Sequence, residues 1–205
     1  MGSLGGHPIF VTNTWHVLPD GGRFLLDETL RFAHPFGQRG LDYWRSKSTA
    51  ARLPSRAQID PSEISDLLPH VTLISVEPRP SGQPDYRVRL MGTMMTEIDG
   101  ERTGQVIEDY MVGNRLRRLR AALDHVVERR QPLRLVSRLA YREWMNGEGI
   151  FAPLSSDGAA VDMIFSVAAV WPSSERSIPP FEDDFPVRPV AAEGSMQATC
   201  RSFTT

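Results

Sequence analysis

The chain has 205 residues, 40% hydrophobic and 23% charged, with a net charge of −2. That length suits one domain with flanking arms, or two very small ones, and so small a charge gives no global electrostatic case for a nucleic-acid or membrane partner. The apolar runs are too short to span a bilayer, no charged-then-apolar leader opens the chain, and the single cysteine, Cys200, allows no internal disulfide, which fits a reducing, cytoplasmic setting.

From Met1 to about Gly22 the sequence mixes Gly, His, Pro and single apolar residues without a period, which predicts a flexible or loosely docked arm; with the residues that follow, the arm is set at 1–37. A helix is predicted over about Gln38 to Ser48, grouping Leu41, Tyr43 and Trp44 on one bulky apolar surface. Asp60-Pro61-Ser62-Glu63 is a helix start: Asp60 can cap, Pro61 suits the first turn and Glu63 follows three residues beyond the cap. Ile64, Leu67 and Leu68 recur at helical spacing until Pro69 stops them.

Val71 to Val76 has strand composition, and Pro78, Pro80, Gly82 and Pro84 form the following turn. Tyr86 to Leu90 alternates, with Arg87 and Arg89 on the face opposite Tyr86, Val88 and Leu90. One buried and one wet face is the pattern of an antiparallel sheet. Thr93 to Ile98 and Val106 to Met111 read as short helical turns. Asn114 to Arg130 is the best helix, its stripe made of Leu116, Leu119, Leu123, Val126 and Val127, and Pro132 ends it. Leu133 to Tyr141 alternates again, with Leu133, Leu135, Ser137 and Leu139 on one face and Arg134 and Arg138 on the other. Trp144 to Leu154 is a second strand carrying Gly147 and Gly149. Ser155-Ser156-Asp157-Gly158 is a hairpin turn, and Val161 to Trp171 is the most apolar strand. Residues 172–205 read as a disordered tail.

Several separated runs carry a resemblance: Pro54-Ser55-Arg56 with Ile59-Asp60-Pro61, Leu67-Leu68-Pro69-His70, Arg89-Leu90-Met91-Gly92-Thr93, and Pro153-Leu154-Ser155 with Asp157-Gly158. Together with the element order they resemble a divergent family of small bacterial PAS proteins, mostly alphaproteobacterial, that consist of little besides the PAS domain. The resemblance spans roughly residues 38–171. It implies an α+β fold with a five-stranded antiparallel sheet in the order 2-1-5-4-3, helices on one face enclosing a pocket, and an N-terminal flanking helix of the kind that often mediates dimerisation. On that basis Leu41, Tyr43 and Trp44 are expected at a dimer interface.

Candidate ligand-binding residues follow from the same frame. Ser137 interrupts an apolar strand face, where a hydroxyl can orient a ligand or bond to backbone or water. His70 stands at the helix-to-strand corner, where it lines a pocket mouth or satisfies backbone groups. Trp144, Met163 and Phe165 read as core or as pocket lining. Haem is disfavoured, because His125 on the long helix lies opposite the apolar stripe and should face solvent. A flavin adduct is disfavoured by the absence of a helical cysteine, and zinc by the scatter of His7, His16, His34, His70 and His125.

No nucleophile elbow, phosphate loop or dinucleotide fingerprint occurs, and the Asp183-Asp184 pair falls in the predicted tail, so the expectation is not an enzyme. The chain then reads as a cytoplasmic sensory module signalling through a partner or a homodimer, with a small apolar or amphipathic ligand. The alternatives are a dimerisation protein without a ligand, and a transcriptional regulator using the basic face of Arg115, Arg117, Arg118, Arg120, Arg129 and Arg130. That basic run also reads as a solvated helix face.

Overall fold

A computed structural model describes residues 10–80, 82–139, 142–172 and 185–190, without the side chains of 139 and 142–144. Eight strands form one sheet: β1 (Trp15–Val17), β2 (Arg23–Asp27), β3 (Val71–Glu77), β4 (Asp85–Met91), β5 (Leu133–Leu139), β6 (Arg142–Leu154), β7 (Met163–Pro172) and β8 (Val187–Pro189). Their spatial order is β4-β3-β7-β6-β5-β2-β1-β8. The expected sheet of five strands is thus corrected to eight. The five strands anticipated from the sequence are the consecutive run β4-β3-β7-β6-β5, and β2, β1 and β8 extend it past β5. Pairing is antiparallel throughout except between β1 and β8, which run parallel.

For the described residues 10–22 the extension overturns the reading as a loose arm, and residues 1–9 lie outside the described residues. Trp15 pairs with Leu25 across a tight turn at Gly21, and β2 adds to β5 over five residues, from Arg23↔Arg138 to Asp27↔Arg134. Trp15 is 1% exposed and Phe24 is fully buried. Arg-Phe-Leu-Leu-Asp lacks alternation because both of its faces are covered: Phe24 and Leu26 join one core, Leu25 another. Strand β8 likewise falls in the segment read as tail, and 173–184 and 191–205 lie outside the described residues.

Helices lie on both faces of the sheet, where helices on one face were expected. On the front, α4 (Gly113–Arg129) seats Ala122, Leu123 and Val126 against Leu133, Leu135, Phe151, Ile164 and Ile74. Two short helices, α2 (Thr93–Asp99) and α3 (Ile107–Tyr110), precede it. On the back, α1 (Pro35–Lys47) packs Leu41 and Trp44 on Ile150, Ala152, Phe165 and Val167. Gly40 permits this approach: a Cβ there would lie 2.8 Å from Val167 Cγ2 and 3.0 Å from Ile150 Cγ2.

The expected dimer face is therefore occupied within the chain. Leu41 is 1% and Trp44 7% exposed, and the Trp44 indole donates to the Pro153 carbonyl at 2.8 Å. The Tyr43 hydroxyl accepts from the Asp60 amide at 2.8 Å and donates to the Asp60 carbonyl at 3.3 Å. The bulky helix surface read from the sequence is real, but the back of the sheet supplies its partner.

Candidate functional site

Between the front of the sheet and α2, α3 and α4 lies a cavity of about 160 Å³, far beyond the roughly 10–15 Å³ that one water needs. Alternation along the strands decides which side chains reach it. Leu135 and Ser137 on β5, Gly147, Gly149 and Phe151 on β6, and Ser166, Ala168 and Val170 on β7 form its floor. Pairing sets them in rows, Ser137–Gly147–Val170 and then Leu135–Gly149–Ala168. The centre of the floor is thus small, because two glycines separated by one residue share a strand face. Met95 and Ile98 of α2, Tyr110 of α3, Met111 just after it and Leu119 of α4 roof it, while Thr72, Val88 and Met91 close the β3–β4 side.

Polar groups in the lining are few. Ser137 is 7% and Ser166 3% exposed, and neither hydroxyl has a hydrogen-bond partner among the described residues. Arg115 and Arg118, in the first turns of α4, and Asp99 at the end of α2 also line the cavity. Arg115 Nη2 is bonded to Asp99, and its other donors meet no partner among the described residues. Tyr110 stands in the field of the same pair, and the Arg102 guanidinium lies 5.0 Å from its ring centroid. Burial first, then the charge of Asp99, pushes its hydroxyl up to about 12, so it remains a neutral donor at physiological pH.

Of the expected ligand residues whose side chains are described, only Ser137 lies in this lining. Met163 and Phe165 sit on β7 in the opposite phase to Ser166 and Ala168, and both pack in the back core beneath α1. The apolar reading of β7 was sound, but one residue of phase separates pocket from core. The His70 ring is held at the back seam, where Nδ1 donates to the Ala168 carbonyl at 3.0 Å and Phe36 packs at 4.3 Å between centroids. The side chain of Trp144 lies outside the described residues.

His125 does not face solvent as expected. Its side chain is 14% exposed, and Nε2 lies 3.1 Å from Glu28, which follows β2. Burial, the leading effect, lowers its pKa, against the opposing pull of Glu28. It is absent from the cavity lining. The added β2 edge explains the change, since it covers the flank of α4 that a five-stranded sheet would leave open. Among the described residues no cluster of three His, Cys, Asp or Glu side chains is placed to hold a metal, and Cys200 lies outside them.

The sequence reading also missed a buried ionic group behind the floor. Arg134, placed by alternation on the face opposite Leu133 and Leu135, is fully buried with Asp27 and Glu148. Its Nη1 reaches Asp27 at 2.8 Å and its Nε donates to Glu148 at 2.6 Å. Glu148 also accepts from the Ala33 and His34 amides just ahead of α1, at 2.9 and 2.7 Å. Strands β2, β5 and β6 and the start of α1 are thereby joined through one guanidinium. The Gly147-Glu148-Gly149 run was the available signal: alternation sets the two glycines on one strand face and Glu148 on the other.

No curated protein matches the chain. A family model described as PAS domain matches residues 32–168, which takes in α1, most of the cavity lining and the strands from β3 through most of β7. With about two thirds of its length matched, the chain belongs to the PAS domain family.

Proposed function

We propose that the protein is a sensory module that binds a small, partly apolar ligand in the front cavity and passes the binding event to a protein partner. The observation that carries this reading is the cavity itself. A floor of Gly147, Gly149 and Ala168, roofed by methionine and isoleucine, holds two serine hydroxyls that no protein group satisfies among the described residues. Mostly apolar walls with a few convergent polar groups are what small-molecule sites require. Neither serine has a base bonded to it, so the reading is of binding rather than catalysis. Among the described residues no helix is long and apolar enough to cross a membrane, and we place the protein in the cytoplasm.

Transmission requires the ligand to favour one of two arrangements of the chain. The helices roofing the cavity are the parts free to differ, since the sheet is tied across its back by Arg134 and α1. Self-association through Leu41, Tyr43 and Trp44 is not retained, because those side chains pack within the chain. A regulator acting through the basic face of α4 is also less well supported. Arg115 pairs with Asp99, Arg120 with Glu108, and Arg130 donates to the Gly158 carbonyl, while Arg117 and Arg118 are not free either.

Native mass spectrometry of the freshly purified chain tests the reading. An added mass below about 1 kDa that is lost on denaturation is expected. A protein that stays at its sequence mass and whose melting temperature is unmoved by any compound of a small-molecule library would overturn it.

A further inference from the structure

The cavity lining also selects among ligands by charge and shape. The inference that follows rests on the cavity being a ligand site. Arg115 is the cation to consider. One nitrogen of its guanidinium is committed to Asp99, and the remaining donors of the fork have no partner among the described residues, which leaves room for a second carboxylate. Arg115 occupies the first turn of α4, a 17-residue helix with no acidic residue in that turn and no side-chain cap at Val112. A cation placed there opposes the helix dipole, whereas an anion brought to it is favoured by both charges. Arg118, one turn further on, also lines the cavity, and Asp20 lies close enough to feel its charge.

Shape comes from the floor. Gly147 and Gly149 expose bare backbone toward the roof, and Ala168 adds only a methyl group beside them. A flat body can lie on such a surface, with the Met95 and Met111 thioethers above it, since sulfur packs well on rings. Ser137 and Ser166, each more than nine-tenths buried and with no side-chain hydrogen bond among the described residues, offer hydrogen bonds to polar substituents at either side of that body. We propose that the cavity takes a flat, aromatic carboxylate, its ring on the Gly147–Gly149 floor and its carboxylate on Arg115.

The test uses three probes with the same ring and different charge, 2-naphthoate, 2-naphthol and 2-naphthylmethylammonium, titrated calorimetrically into the full chain. The expected result is naphthoate binding at least about tenfold more tightly than either of the others, as a charge-assisted bond predicts. Arg115→Met, and Arg115→Gln as a second variant should the first fail to fold, should bring naphthoate to within about twofold of naphthol measured on the same variant. Gly147→Leu projects into the cavity, where a Cβ meets nothing nearer than 3.9 Å, and should abolish binding of all three with the circular dichroism spectrum retained. Equal binding of naphthol and naphthoate would overturn the anionic class and leave the sensory reading standing. Failure of every probe to bind, or binding unaffected by Gly147→Leu, would overturn the flat aromatic occupant of this cavity, whereas the sensory reading falls only if the native mass spectrum and the compound library are negative as well.

Discussion

Arg134 shows how much one side chain can decide. A fully buried guanidinium between Asp27 and Glu148 removes three charges from water, and desolvation of that kind is balanced only while every partner is in place. Arg134→Met should therefore cost about 3–5 kcal/mol, because it leaves two buried carboxylates facing each other. Adding Asp27→Asn and Glu148→Gln to that variant should restore a large part of the loss. Urea denaturation of the single and triple variants checks both statements, and a single variant as stable as wild type would show that the charges are not mutually dependent. The role of Arg134 was not legible in the sequence. Alternation places Arg134 opposite Leu133 and Leu135 correctly, but whether that face is wet depends on what packs there. Ser137 was legible, because its phase and its contrast with apolar neighbours are both local properties. Met163 and Phe165 were open between core and pocket lining, and they are core; in a strand apolar on both sides, composition carries no phase to decide it.

At the scale of elements, α1 and the β1–β2 pair depart most from expectation, and each depends on close packing. Gly40→Ala puts a methyl group against Val167 Cβ and Ile150 Cγ2, so α1 must move off the sheet. The expected loss is about 1–3 kcal/mol, read as a lowered urea midpoint. A change within about 0.3 kcal/mol would mean that α1 docks with slack the packing does not show. Trp15→Ala should cost about 3–5 kcal/mol if β1 belongs to the cooperative core, and would be nearly silent if residues 15–17 were a loose arm. Hydrogen exchange offers an independent reading: amides of Leu25 and Leu26 should exchange as slowly as those of β5. The α4 stripe, the Asp157-Gly158 hairpin and strands β3 to β7 were legible because period, capping and turn chemistry are written within a dozen residues. Strands β1 and β8 have three residues each and no period, and their existence depends on an edge offered by distant parts of the chain.

Across the whole molecule, the buried His16 and the partly buried His125 tie stability to pH. His16 lies between Phe24 and Phe10, and its Nε2 donates to the Val11 carbonyl at 2.9 Å. Burial lowers its pKa below the ordinary 6.5, as it does for His125. The unfolded chain therefore binds protons that the folded chain refuses. The stabilising contribution is fully present above about pH 6.5 and is lost as pH falls through the lowered folded values. The urea midpoint should drop between about pH 7.5 and pH 5.5, a range in which carboxylates change little. His16→Gln combined with His125→Gln should flatten that drop, and a midpoint that holds or rises on acidification would contradict the assignment. On its own, the sequence determined the PAS order of elements, the amphipathic long helix and the turns that separate the strands. Each of these is set by neighbours within one or two turns of chain. Only the tertiary structure decided that the sheet grows to eight strands, that helices shield both of its faces, and that two glycines and two serines lie over an open volume. Those outcomes depend on which surfaces meet, and no period in a single segment encodes the element that will cover it.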